Sequence, residues 1–180
     1  MAVAAVAALF AWFGASLVVL ADGPRGMAVG VGLASAGMAA MALLAAGVLP
    51  ALAIVAGGGL VAFQQVRSGR PGVWGIMPAG STPRLILCIA SGLLALWFAL
   101  SLTQGSGAAQ RFAVLVVVAL TAGRILTGRD ASVVMPAAAV LALAIGVGAF
   151  LSANSSWPAL LAASVAAGLT FIPIPKPNVT

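Results

Sequence analysis

The chain has no histidine and no tyrosine, and its two acidic residues are both aspartates, Asp22 and Asp130. Most acid–base, haem and metal sites are built from the residue types that are missing or scarce here. A serine or cysteine nucleophile would have no histidine to activate it. We therefore expect that this chain is not an enzyme by itself and that it holds no cofactor and no metal ion.

Cysteine and charge are also scarce. Cys88 is the one cysteine, so no internal disulfide can form. Charged residues make up 6% of the 180 residues, whereas 63% are hydrophobic, a composition typical of membrane proteins. The net charge of +6 comes from basic residues scattered between apolar runs. This scatter favours anionic lipid headgroups over nucleic acid as the partner.

Long charge-free runs predict membrane-spanning helices, each of which needs about 20 residues to cross about 30 Å. Residues 2–21 lack the basic start of a secretory signal, so we expect a first span there. The run 26–66 is long enough for two spans, with a break between Gly47 and Pro50. The pattern predicts one all-α, polytopic membrane domain over residues 1–180, with helices at about 2–21, 26–47, 50–66, 85–102, 111–127, 132–152 and 157–172.

The fifth predicted span is the weakest, because the apolar run between Arg111 and Arg124 is shorter than a crossing requires. We expect these two arginines to extend toward opposite headgroup layers. With the N-terminus outside and the C-terminus in the cytoplasm, Arg111 lies outside. The remaining basic residues then anchor the cytoplasmic side, as the positive-inside rule requires: Arg25, Arg67, Arg70, Arg84, Arg124, Arg129 and Lys176.

Neither aspartate falls at the centre of a predicted span. Asp22 is close to Arg25 in sequence, and Asp130 adjoins Arg129, so we expect two local, solvated ion pairs at the membrane surface. The second predicted helix has small residues at four-residue spacing along two lines, which permit close helix approach. The alternative is that alanine and glycine are abundant throughout. The two lines are Gly26, Gly30, Ala34 and Gly32, Ala36, Ala40.

The third predicted helix contains the triplet Gly57, Gly58, Gly59. Each glycine inside a helix costs about 1 kcal/mol relative to alanine. A π-bulge, a kink or a very close helix contact would each explain the triplet, and we treat it as a candidate conformational hinge. Composition alone is the alternative. Gln64 and Gln65 are candidates for a polar path or a contact between helices, although glutamines near a helix end are commonly interfacial.

Residues 18–63, VVLADGPRGMAVGVGLASAGMAAMALLAAGVLPALAIVAGGGLVAF, resemble the first three helices of the J-type membrane subunit of bacterial complex I. The resemblance places Pro24 at the family's turn proline and Gly59 at its π-bulge glycine. It implies a role in a proton-translocating redox complex. Two features depart from the family, which usually has five helices and an aromatic residue where Gly57 stands.

Taken together, these features predict a non-catalytic subunit of a larger membrane complex in a bacterial cytoplasmic membrane. Such a subunit would contact other membrane subunits through its small-residue helix faces and would contact lipids elsewhere. The alternative is a small stand-alone transporter or channel with a site at the glycine-rich third helix. A lipid-modifying enzyme is the least favoured class, because bases and metal ligands are missing.

Overall fold

The computed structural model describes residues 2–68, 81–102, 107–128, 130–153 and 155–172. Within these ranges the chain is built from helices: α1 (Ala2–Leu20), α2 (Pro24–Ala46), α3 (Val48–Ser68), α4 (Thr82–Leu102), α5 (Ala108–Thr127), α6 (Ala131–Ala153) and α7 (Trp157–Thr170). The predicted all-α fold is confirmed, and each predicted span coincides with a helix to within a few residues.

The break between α2 and α3 follows from local chain chemistry. Gly47 has φ +92° and donates its backbone N–H to the carbonyl of Leu43, which ends α2. Glycine tolerates this left-handed conformation because it has no Cβ. The next helix begins at Val48 and carries Pro50 in its first turn, where a missing N–H costs no helical hydrogen bond. The predicted break at 47–50 is therefore confirmed.

Six of the described helices, α1 to α6, are long and apolar enough to cross a membrane. The exception is α7, whose 14 residues span about 21 Å at about 1.5 Å per residue, short of a hydrocarbon core of about 30 Å. We expected α5 to be the weakest span. That expectation was wrong, because α5 extends for 20 residues and begins before Arg111.

The helices form two layers of three. In one layer α2 packs between α1 and α3, and in the other α6 packs between α5 and α7. Across the layers α1 contacts α5, α2 contacts α6 and α3 contacts α7. The remaining helix, α4, lies outside both layers against α5 and α1. It is the least buried of the six long helices: 22% of its apolar stretch is buried, compared with 61% for α2.

The two ends of the bundle differ in charge. Contacts of Asp22 with Arg84 and Arg124 bring together the end of α1, the start of α4 and the end of α5. A contact of Gln64 with Thr170 brings together the ends of α3 and α7. We call this end the arginine face. It also holds Arg25 and Arg67, at the start of α2 and the end of α3.

The opposite face has Arg111 at the start of α5, with an exposed side chain. The division of described arginines between the two faces is the one that the topology prediction requires. Three of the predicted cytoplasmic anchors, Arg70, Arg129 and Lys176, lie outside the described residues. Which face meets the cytoplasm stays a prediction.

Close backbone contact between α1 and α2 holds the first layer together. A Cβ added to Gly14 would overlap the backbone nitrogen of Ala34, and one added to Gly37 would lie 2.5 Å from the nitrogen of Ala11. The line Gly26, Gly30, Ala34 is buried, as expected for helices that associate through small residues. The second line is different: Ala36 is exposed and Gly32 has no neighbour within 4 Å of an added Cβ.

Candidate functional site

The glycine triplet lies in a regular part of α3, which is α-helical from Val48 to Ser68. The structure therefore has no π-bulge at Gly57, Gly58 or Gly59. The three glycines point in different directions around the helix, because successive residues are about 100° apart. Each glycine consequently has its own surroundings, and the triplet is not one structural feature.

Two of the three glycines lie in close contact with a neighbouring helix. A Cβ added to Gly57 would lie 3.1 Å from the Cα of Ala163 in α7, and one added to Gly58 would overlap the side chain of Ser35 in α2. Ser35 is itself buried and donates its hydroxyl to the carbonyl of Val31 at 2.7 Å. Of the three explanations weighed for the triplet, close helix contact fits these two positions.

Gly59 is different, because its position is exposed and an added Cβ would meet no atom within 4 Å. Nothing in the described packing requires glycine there. A hinge role for the triplet is therefore a prediction that now depends on Gly59 alone. This residue also occupies the position that the resemblance aligns with the bulge glycine.

The candidate polar residues Gln64 and Gln65 border a cavity of about 710 Å³ between the ends of α3 and α7 and the start of α6. Gln64 donates its side-chain amide to the backbone carbonyl of Thr170. This contact joins α3 to the last turn of α7 and supports the expected role in helix contact. Arg67 also lines the cavity, with its side chain exposed in the last turn of α3.

Most of the cavity wall is apolar. It includes Leu60, Val61, Phe63, Met135, Ala139 and Leu169. The polar residues lie at the end of α3 and at Thr170, so the cavity is apolar along its wall and polar on the arginine face. No aspartate is among its described lining residues. The arrangement is suited to an amphiphilic molecule and offers no acid–base pair.

A second polar constellation was not predicted from the sequence. Asp22, in the turn after α1, accepts hydrogen bonds from Arg84 at 2.9 and 3.0 Å and also from Arg124. Arg124 further donates to the carbonyl of Ala21 at 3.1 Å. The expected local pair between Asp22 and Arg25 was therefore wrong. Two arginines distant in sequence pair with the carboxylate because the fold places the start of α4 and the end of α5 beside it.

Arg124 differs from the other described arginines in burial. Its side chain is 3% exposed, whereas those of Asp22 and Arg84 are each 39% exposed. We expected Arg124 to extend into a headgroup layer, and this expectation was wrong because the side chain turns inward to the loop after α1. Its Nε atom has no hydrogen-bond partner among the described residues. A buried guanidinium needs a nearby carboxylate, and Asp22 supplies one.

The pKa of Asp22 reflects two opposing effects. Partial burial raises it, but hydrogen bonds and charge attraction from Arg124 and Arg84 together have the larger effect, so the pKa lies below its ordinary value. The carboxylate is therefore ionised at neutral pH. The expected pair between Asp130 and Arg129 lies partly outside the described residues.

A second cavity, of about 750 Å³, lies at the opposite face between the start of α1, the end of α4 and the start of α5. Its described lining is apolar apart from Gln110. The two cavities share no lining residue. They lie at opposite ends of the bundle, and the described interior between them is packed mainly with alanine, valine, leucine and methionine.

Within the described ranges no group of three or more histidine, cysteine or acidic side chains is placed to hold a metal ion. Cys88 is buried in α4, where its backbone carbonyl accepts a hydrogen bond from the Trp12 indole at 3.3 Å. Trp12 also lies against Gly92, where an added Cβ would be 2.8 Å from the indole nitrogen. These contacts fix α4 against α1 and provide no reactive group.

The sequence did contain one usable signal for the Asp22 cluster. Arg84 and Arg124 were both assigned to the same membrane side as Arg25, which is close to Asp22 in sequence, and a carboxylate at an interface attracts nearby cations. What sequence alone could not supply was which helices are neighbours.

Compared with known proteins, the chain matches no protein-family model, no curated protein and no solved structure.

Proposed function

We propose that this chain is a non-catalytic structural subunit of a larger membrane complex. The observation that carries the proposal is the packed interior: the two cavities share no lining residue, and apolar side chains fill the described space between them. Transport through the chain itself would need a polar path or an ionisable group within the membrane. The described charged side chains instead lie near the helix ends.

A surface suited to a partner helix is present on α2. The outer line Gly32, Ala36, Ala40 has small side chains. Gly32 and Ala36 have room above them, whereas Ala40 is half-buried against the core. Such a line allows another helix to approach its backbone closely. The inner line of the same helix already packs against α1 in this way. We assign the outer line to contact with another membrane subunit.

The finer form of the proposal places the parent assembly among the energy-converting redox complexes. It is supported by the resemblance of residues 18–63 to the J-type subunit of complex I. Two observations weaken a direct role in proton translocation: α3 is regular at Gly59, and the chain has no acidic residue within its described helices. A structural place in such a complex requires neither feature.

Extraction in mild detergent, followed by identification of the proteins that remain bound, tests this function. We expect stable stoichiometry with other membrane subunits, and redox cofactors in the purified assembly if the finer form is right. Replacing Ala36 with leucine should reduce co-purification, whereas the matched change at exposed Ala56 of α3 should not. A chain that is monodisperse alone and moves a solute across vesicle membranes would contradict the subunit function.

The second candidate is a small stand-alone transporter, and one observation favours it. The cavity beside α3 brings Gln64, Gln65 and Arg67 to one end of the bundle, as an open substrate site would. A transporter built from parallel repeats related by an axis along the membrane normal would place α1 against α7 and α3 against α5. In the described residues neither pair is in contact, so we rank this function second.

A further inference from the structure

We propose that the cavity between α3, α6 and α7 binds one anionic membrane phospholipid, with its phosphate at Arg67 and an acyl chain along the apolar wall. This binding does not depend on whether the chain is a subunit of a complex. Three observations carry it: the charge of Arg67, which has no carboxylate partner among the described residues, the shape and chemistry of the cavity, and its position at the membrane surface.

Arg67 differs in its pairing from Arg84 and Arg124. Those two arginines share the carboxylate of Asp22, whereas no described aspartate lies within ion-pair distance of Arg67. Arg67 is one of the residues that line the cavity at its polar end. A guanidinium presents several N–H donors in a planar arrangement that matches phosphate oxygens. An anion therefore fits this end of the cavity better than a neutral or cationic group.

The volume and the wall favour an amphiphile over a small soluble anion. The cavity of about 710 Å³ lies within the range of roughly 300–1,000 Å³ that is usual for ligand sites. Inorganic phosphate would occupy the Arg67 end and leave Leu60, Met135 and Leu169 in contact with water. An acyl chain covers that apolar wall while the phosphate of the same molecule stays at the Arg67 end.

Position supports a lipid as the source of the phosphate. Arg67 lies in the last turn of α3, where a span reaches the headgroup layer. The arginine face is also the side that attracts anionic lipids. The second cavity provides a comparison within the same molecule, since it is similar in volume but its described lining has no cation. We expect that cavity to show no preference for anionic lipid.

The test uses the full chain, purified in mild detergent and stripped of lipid. Phosphatidylglycerol and phosphatidylcholine with identical acyl chains are added at equal concentration, and bound lipid is counted by native mass spectrometry. One interfacial arginine is worth about a fivefold preference, so the wild-type chain should bind phosphatidylglycerol at least fivefold better. Arg67→Gln should abolish this preference, and Arg67→Lys should keep most of it.

Three control variants make the result specific. Arg25→Gln removes one charge from the same face outside the cavity, and Arg111→Gln removes one from the opposite face, so both should keep the preference. Leu169→Trp fills the cavity and should reduce binding of both lipids, whereas Leu161→Trp, at an exposed position of α7, should not. Thermal unfolding of each variant identifies those that remain folded.

Three results would overturn the proposal. Equal loss in Arg25→Gln and Arg67→Gln would mean diffuse attraction to the face. Competition by inorganic phosphate at the concentration of the lipid would indicate a site for soluble anions. Equal binding of the two lipids by the folded wild-type chain would mean that the cavity does not select charge.

Discussion

The carboxylate of Asp22 accepts a hydrogen bond from Arg124, a side chain buried at the end of α5 and 102 positions away in sequence. It also binds Arg84 at the start of α4. One short turn therefore holds two helices from elsewhere in the chain. The partly exposed carboxylate compensates the charge of a buried cation.

Replacing Asp22 with asparagine should lower the stability of the folded chain. The change leaves the Arg124 guanidinium buried without a counter-charge, and breaking a fully buried pair costs about 3–5 kcal/mol. Because Asp22 is partly exposed, we expect a smaller loss of about 1–3 kcal/mol. Thermal or denaturant unfolding in detergent measures it. Asp130→Asn, at an exposed position, is the control and should change stability little; an equal loss in both variants would contradict the role of Asp22.

Acid should weaken the same contact. The pKa of Asp22 in the folded chain lies below its ordinary value of 3.8, so the folded state favours the ionised carboxylate. Its contribution is fully present above the unfolded pKa and is lost as pH falls through the folded pKa. Stability should therefore decline as pH falls below about 4. Unfolding measured from pH 7 to pH 3 tests this, and the wild-type chain should lose more stability than Asp22→Asn does.

Replacing Gly58 and Gly59 with alanine, one at a time, should change stability in opposite directions. Gly58→Ala places a methyl group on Ser35 and should cost about 1–3 kcal/mol, as overpacking usually does. Gly59→Ala meets open space and should stabilise α3 by up to about 1 kcal/mol. Ser35→Gly should rescue Gly58→Ala in the double variant, and additive losses would exclude direct contact between these positions.

The activity and assembly of the parent complex provide a separate test of Gly59. If this glycine is a hinge, Gly59→Leu should impair assembly or coupling in the parent complex even though the variant remains folded. Unchanged activity and abundance would leave Gly59 as a consequence of composition.

The interface between α1 and α2 should be sensitive to a single methyl group. Gly14→Ala and Gly37→Ala would force a Cβ against helix backbone, which cannot rotate away as a side chain can. Each change should lower stability by about 1–3 kcal/mol. Gly32→Ala on the outer line of α2 is the matched control and should have no measurable cost in the isolated chain. Equal thermal midpoints for all three variants would contradict this account of the packing.

The orientation of the chain in the membrane can be tested by cysteine labelling, because the sequence has one native cysteine to replace. In a Cys88→Ser background, single cysteines replacing Arg25 and Arg111 should react with a membrane-impermeant thiol reagent from opposite sides of intact cells. With the N-terminus outside, the cysteine at position 111 should react without permeabilisation, and the one at position 25 should need it. The reverse pattern would invert the predicted topology.

Sequence reasoning located the helices well, because the length of an apolar run and the positions of Gly47 and Pro50 are local properties. The start of α5 was misjudged, since Arg111 was taken as the first residue of the helix although Ala108 to Gln110 precede it in the same helix. Sequence reasoning predicted small-residue packing on α2 but could not tell the buried line from the outer one. That choice depends on which neighbours surround the helix.

The Asp22 cluster, the surroundings of the glycine triplet and the cavity at Arg67 were less predictable, because they too depend on which helices are neighbours. Nothing local distinguishes Arg25 from Arg84 or Arg124 as the partner of Asp22, and sequence distance favoured the wrong one. Likewise, three adjacent glycines look equivalent in sequence, whereas their surroundings in the fold are a neighbouring backbone, a serine side chain and open space. The cavity at Arg67 needed three helix ends to meet, which no sequence pattern specified.

The order of residues along the chain has a consequence for biosynthesis. Asp22 leaves the ribosome before either of its arginines, and α1 and α2 can already pack closely through Gly14, Gly30 and Gly37. The nascent first hairpin therefore carries an ionised carboxylate in its turn with neither of its eventual partners yet made. Only when residues 84 and 124 have been synthesised can this carboxylate bind them, so closure of the bundle comes late in translation.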